Sequence, residues 1–374
     1  MAQQPLISVI IPIYNAGEFL RPCLDSLLRQ TFTEYEAILV NDGSTDHSLD
    51  VMREYAAKDD RFMVLDFPNG GYGKAMNRGM DAARGLYMAI LEPDDMLPRK
   101  AYESLWKEVE KNSRPDIVRG TYLTMQSSPD GVRYEWVNFN KLVKKILVPS
   151  DDYSSFHPST WSALYRLDFL REKGIRHHES PGASYQDMGW FTQTIFRAER
   201  WCCTDEIVYL YRIDNPESSV KQYDRKFAVL SHEYEFVYEK LNETPELWEK
   251  VKTSLFMRFV CDHLAIYEIL SEPVLGEFVT CVKETVQKIF SDVADLVPAR
   301  RSEKWNWMLN KERRYPLHPP VPFPCIRYKR FLGIFRYKIE RTSEMLELEP
   351  GISYPFRSRE VRSFCGIPFR VRCK

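Results

Sequence analysis

The chain has 374 residues, enough for one large domain with an attachment or for two ordinary domains. With 44% hydrophobic residues, 28% charged residues and a formal net charge of -1, its composition excludes a disordered chain, and the overall charge names no partner. The distribution says more: residues 301–374 hold 17 Lys and Arg against 7 Asp and Glu, so the chain ends in a basic segment.

The opening MAQQPLISVIIPIYN carries no basic leader, and Pro12 and Tyr14 interrupt its apolar run, so no signal peptide is expected. Ile7 to Ile13 reads as a strand, followed by a helix with Leu20, Leu24, Leu27 and Leu28 at helical spacing. Glu36 to Val40 is a second strand, and Asn41-Asp-Gly-Ser-Thr-Asp46 turns the chain into a helix near 46–57. A third strand (62–67) precedes the loop Asn69-Gly-Gly-Tyr-Gly73 and a helix near 74–84; a fourth (86–91) precedes the acidic turn Glu92-Pro-Asp-Asp95 and a helix over 98–111. Uninterrupted apolar strands alternating with helices predict an α/β fold, with a mostly parallel sheet flanked by helices.

Strands are also expected near 117–125 and 132–137, and a short helix near 160–172. From 226 to 297 apolar residues recur at helical spacing, among them Trp248, Val251, Leu255 and Phe259, which predicts a helical C-terminal extension. The remainder is Pro-rich and then basic and aromatic. The expected organisation is a catalytic domain at 1–225, a helical domain at 226–300 and a basic tail at 301–374. Eight cysteines without C-x-x-C spacing suggest neither a zinc site nor a disulfide framework. No uncharged apolar run reaches the ~20 residues of a membrane span. A cytoplasmic protein is expected, with any membrane contact peripheral.

In such sheets ligands bind beyond the carboxyl ends of the strands, and four loops there carry polar groups: Tyr14-Asn15, Asp42, Asn69 to Gly73, and Glu92 to Asp95. Three carboxylates on one turn repel one another unless a cation relieves them. Mg²⁺ or Mn²⁺ takes one or two carboxylates and completes its shell with water and phosphate oxygens. The competing reading is an acidic helix cap.

Ser8-Val-Ile-Ile-Pro-Ile-Tyr-Asn15, Val40-Asn-Asp-Gly-Ser-Thr-Asp46, Asn77-Arg-Gly79 and Glu92-Pro-Asp-Asp95 together resemble, in order and spacing, the inverting family-2 glycosyltransferases of the GT-A fold. The resemblance is strong over 6–97, weakens toward 220, and is not seen beyond. It implies that Pro12, Tyr14, Asn15 and Asp42 hold the nucleotide, an Asp side chain being able to accept the imide N–H of uracil, with Asn77, Arg78, Glu92 and Asp94 also on the donor. It implies Asp95 as metal ligand, with Asp94 either sharing the ion or facing the ribose or sugar. Glu92 departs from the family's usual D-x-D-D by one methylene. The family's late acidic pair becomes Gln186-Asp187, leaving Asp187 as the base for the incoming hydroxyl; a helix cap is the alternative reading.

Weaker signals are backbone amides of Gly70 to Gly73 on a diphosphate, Trp161 as a sugar platform or a core residue, and Arg212 or Lys221 near phosphate or in salt bridges. The basic aromatic tail suits an anionic membrane surface; a small β-element is the plainer reading. No nucleic-acid motif accompanies it, and none is expected as partner. The expected partners are a UDP-sugar donor and a glycan or lipid-linked acceptor in surface polysaccharide or lipopolysaccharide synthesis, with a homo-oligomer left open. The rivals are a sugar nucleotidyltransferase, whose Gly-rich basic loop after the first strand is missing, and a catalytically silent nucleotide-sugar-binding subunit.

Overall fold

A computed structural model describes residues 4–128, 131–137, 146–147, 158–217, 223–297, 299–311, 345–349, 352–355, 363–364 and 367–368. β1 (Ile7–Ile13) is buried throughout and runs parallel between β2 (Tyr35–Asp42) and β4 (Tyr87–Ile90), pairing Ile7 with Tyr35 and with Tyr87. β3 (Phe62–Phe67) adds to β2, also in parallel. Strand alternation splits the side chains between two layers. Val9 and Ile11 join Leu24 of α1 (Leu20–Leu28), Met52 of α2 (Ser48–Lys58) and Leu105 of α4 (Ala101–Lys111) in one core. Ile10 meets Met76 and Met80 of α3 (Tyr72–Ala82) in the other.

The second half of the sheet is mixed. β5 (Ile117–Ser128) pairs antiparallel with β6 (Gly131–Val137) and parallel with β9 (Trp201–Arg212), which takes the short β7 (Ile146–Leu147) at its edge. The helix expected over 160–172 is corrected. A 3-10 turn at Thr160–Ser162 leads into β8 (Ala163–Arg166), and only Leu167–Glu172 is helical, as α5. β8 lies antiparallel between β4 and β5, so pairing on both edges overrides local periodicity. The sheet order is β3-β2-β1-β4-β8-β5-β9-β7, with β6 paired to β5.

α6 (Gln186–Arg197) is buried at every residue from Met188 to Phe196, because α7 (Tyr223–Asn242) packs on it. α8 (Pro245–Ile269), α9 (Leu275–Ile289) and α10 (Ala299–Lys311) complete the helical layer. One apolar cluster runs from Ile10 and Ile38 in the sheet through Trp190 and Phe191 to Phe256, Phe278 and Trp305. The expected catalytic and helical units therefore share a core. Beyond them only the hairpins β10–β11 (Met345–Glu349, Ile352–Pro355) and β12–β13 (Ser363–Phe364, Ile367–Pro368) are described; most of the basic tail lies outside the described residues.

Candidate active site

A cavity of about 790 Å³ opens at the carboxyl edge of the parallel strands. Pro12 near the end of β1, Tyr14 and Asn15 after it, Glu92, Asp94 and Asp95 after β4, and Asp187 at the start of α6 line it. Tyr14 is 54% exposed at this rim. Asn15 sits at φ 49, and its Oδ1 accepts from the Thr45 and Asp46 amides, which ties the first loop to the second.

The acidic turn is clamped by the end of β9. The Glu92 amide donates to the Tyr209 hydroxyl (3.0 Å), and the Arg212 amide donates to Asp95 Oδ1 (2.7 Å). Arg212 Nε donates to the Asp94 carbonyl, so this arginine holds the turn's backbone while also pairing with Asp214. Asp94 Oδ2 accepts from Asn215 at 2.7 Å. Asp95 is 1% exposed, and among the described residues its buried Oδ2 meets no hydrogen-bond partner at bonding geometry, with the Tyr209 hydroxyl near enough to favour the ionised form. Burial, and then the charge of Asp94, push its carboxyl well above the usual range. Burial also pushes Glu92 up to about 8, opposed by a hydrogen bond from Tyr72 and reinforced by Asp94 and Asp187.

An orphaned buried carboxylate oxygen beside a second carboxylate fits a hard divalent cation. Among the described residues no group of three or more His, Cys, Asp or Glu forms a protein-only metal cage. Asp94 and Asp95 are the carboxylates that would hold such an ion, which takes one or two carboxylates and completes its shell with water and phosphate oxygens.

Three residues expected on the donor are not among those that line this cavity. Asp42 accepts from the amides of Gly70 (2.8 Å) and Gly71 (2.9 Å), and Arg78 approaches it at 3.5 Å while lying over Phe67. Asn77 is spent on the segment after α5: Nδ2 donates to the His177 carbonyl and to Glu179, and Oδ1 accepts from the His177 amide. Three of the amides proposed for a diphosphate are likewise engaged, those of Gly70 and Gly71 on Asp42 and that of Tyr72 on the Gly182 carbonyl. Gly73 is there for close approach: a Cβ would lie 1.9 Å from the His178 carbonyl oxygen. Lys221 lies outside the described residues.

Asp187 does not cap α6. Tyr185, at φ 61, occupies the N-cap, a left-handed geometry costly for a bulky side chain, and Gln186 to Met188 after it line the cavity. Burial raises the Asp187 carboxyl to about 6; the Met188 amide opposes this, Glu233 and Asp262 add to it, and Arg258 opposes it. Gln186 has an explanation of its own. Its Nε2 donates to Ser180 Oγ (2.9 Å), which donates to Glu233 Oε1 (3.2 Å), so the chain of bonds needs a donor at 186 that a glutamate lacks.

Trp161 lines the cavity and is stacked on Tyr209 and Tyr211. Leu230, Arg258, Asp262 and Ile266, none of them foreseen, line it from the helical layer. The only sequence signal for them is a charged i,i+4 pair inside an apolar helix.

A half-parallel sheet with these loops at its carboxyl edge is the GT-A arrangement, and the chain belongs to glycosyltransferase family 2, whose model, Glycosyl transferase family 2, matches residues 8–174. It is 32% identical over 249 residues to the uncharacterized glycosyltransferase EpsJ of Bacillus subtilis (strain 168), covering 61% of this chain and 70% of EpsJ. It is 39% identical over 230 residues to the glycosyltransferase GlyG of Streptococcus pneumoniae serotype 4, covering 60% of this chain and 76% of GlyG. In fold it is similar to residues 1–349 of TarS from S. aureus, with TM-score 0.66 and 18% identity over 82% of this chain and 88% of that one. The protein is a glycosyltransferase.

Proposed function

We propose that the enzyme transfers a sugar from a UDP-sugar to a hydroxyl of a glycan or lipid-linked acceptor, with inversion, in surface polysaccharide or lipopolysaccharide synthesis. The observation that carries this reading is the shared cavity: Asp94 and Asp95 line it from the turn after β4, and Asp187 from the first turn of α6. Pro12, Tyr14 and Asn15 flank the nucleotide, and Asp42 fixes the Gly-rich loop through the Gly70 and Gly71 amides. Asp94 and Asp95 would hold Mn²⁺ or Mg²⁺, which when bound offsets the charge of the departing diphosphate. That leaving group needs no proton, so one base suffices. Asp187 takes the proton of the acceptor hydroxyl, and attack from the face opposite the diphosphate inverts the anomeric centre. A carboxyl raised to about 6 is ionised at neutral pH yet more basic than an exposed aspartate.

Two solved neighbours support the donor and the ion. The S. aureus TarS structure is a complex with UDP-GlcNAc, and that of a mannosyltransferase from Pyrobaculum calidifontis, with TM-score 0.50 and 16% identity, contains GDP-Man and Mn2+. Among the described residues no helix is long and apolar enough to cross a membrane. The basic tail supports a peripheral seat on the inner face of the cell membrane.

The test is UDP release from UDP-glucose, UDP-galactose, UDP-GlcNAc and UDP-GalNAc, with Mn²⁺ and with EDTA, followed by NMR of the product anomer. Metal-dependent release and an inverted product are expected. Equal rates in EDTA would remove the metal, UDP-sugar formation from UTP and a sugar phosphate would reassign the protein as a nucleotidyltransferase, and binding without turnover would make it a silent subunit.

A further inference from the structure

The inner wall of the cavity comes from the helical layer. Leu230 of α7 and Arg258, Asp262, Ala265 and Ile266 of α8 line it together with Asp187. α8 is otherwise a packing helix, with Val251, Leu255, Phe256, Phe259 and Val260 fully buried. Into it are set Arg258 and Asp262, one turn apart. Arg258 Nε donates to Asp262 Oδ2 at 2.8 Å, and the Tyr234 hydroxyl of α7 donates to the same oxygen at 2.7 Å. The two side chains are 10% and 17% exposed.

An ion pair so nearly buried is a poor source of stability, because desolvation offsets most of its attraction; apolar residues of similar size would serve the helix as well or better. The pair nevertheless borders the cavity, and its charges reach Asp187, as does that of Glu92 on the acidic turn. The proposed base therefore sits within range of both the donor-side turn and the α8 pair.

We propose that Arg258 and Asp262, steadied by Tyr234, form the acceptor subsite and bind hydroxyl groups of a sugar ring, with Leu230 and Ile266 against its apolar C–H face. The inference rests on the donor reading above and assigns the opposite end of the same cavity. A guanidinium supplies planar donors and a carboxylate supplies acceptors, the combination that a diol, itself donor and acceptor, can satisfy. Pairing also cancels the arginine's charge, which argues for neutral hydroxyls over a phosphate group. Apolar lining with few fixed polar groups is the usual composition of a small-ligand site.

The experiment measures binding of the methyl glycosides of glucose, galactose, GlcNAc, GalNAc and rhamnose to the full chain by saturation-transfer NMR, with UDP and Mg²⁺ present and glycerol 3-phosphate as the anionic arm. Calorimetry reports UDP affinity separately. At least one glycoside is expected to bind. Asp262→Asn and Arg258→Lys should weaken it about tenfold or more while UDP affinity stays within about twofold, and Tyr234→Phe should weaken it less. The isosteric Asp262→Asn carries the test if the arginine variant does not fold. The inference is overturned if no glycoside binds the wild type, if glycerol 3-phosphate binds in their place, or if folded variants bind glycoside as well as the wild type. Wild-type protein that bound a glycoside in a variant-sensitive way but no UDP would sink the donor reading and leave the sugar subsite standing.

Discussion

The Tyr72 hydroxyl donates a 2.7 Å hydrogen bond to Glu92 Oε1, joining the first turn of α3 to the acidic turn after β4. Tyr72→Phe leaves a buried carboxyl oxygen without this donor. We expect a loss of about 1–3 kcal/mol, measured by urea unfolding near neutral pH in EDTA. A change under about 0.5 kcal/mol, the ordinary scatter of surface substitutions, would show that the bond does not hold the turn.

Asp187 is protonated below its raised value of about 6 and ionised above it. A base must be ionised, so kcat/KM should climb as pH rises through that region and then level off. Asp187→Asn should lower kcat by about 10²–10⁴-fold. A flat profile from about pH 5 to 8, or full turnover by the variant, would remove Asp187 from the role.

Gln186→Glu restores the residue common in the family, and in this protein it should be harmful. The new carboxylate cannot donate to Ser180, and it adds a charge near Glu233, itself 1% exposed and paired with His178 at 2.7 Å. We expect a loss of about 2–4 kcal/mol, exceeding that of Gln186→Met, which removes the bonds without adding charge. Equal losses for the two variants would mean the direction of the chain of bonds has been misread.

His263 is fully buried on α8, between Ser231 Oγ at 3.0 Å and the Phe259 carbonyl at 2.9 Å, and burial holds its pKa down to about 3. The folded state keeps it neutral, whereas the unfolded chain takes up a proton below about 6.5. Its contribution is therefore present above about 6.5 and falls away as pH drops toward 3, by up to about 1.4 kcal/mol per pH unit. In His263→Gln the fall of unfolding free energy between about pH 6 and 4 should be shallower by close to one proton. An unchanged slope would show that His263 is protonated in the folded protein.

Legibility in the sequence followed the range of the interactions involved. β1 to β4 and their loops were readable because each strand is built mainly from apolar residues and the polar residues gather at its carboxyl end or just beyond. β8 was not, since four residues carry no usable period and its partners, β4 and β5, are remote in the chain. Asn77 was placed on the donor by its motif, while its structural partner, His177, is 100 residues away. The spacing of Arg258 and Asp262 is visible in the sequence but is also that of an ordinary surface salt bridge. Only the packing of α7 on α6, and of α8 on α7, shows that this pair looks into the cavity.

The apolar cluster that runs unbroken from Ile10 in the sheet to Trp305 in α10 has an evolutionary corollary. If the acceptor subsite lies on α7 and α8 as proposed, acceptor choice is not a detachable module. A hybrid that joined its first 225 residues to the helices of a relative would face a mismatched interior before it met any substrate. On that proposal, change of specificity would be channelled into point substitutions on the cavity-facing side of α7 and α8, made one at a time within a core that must stay whole.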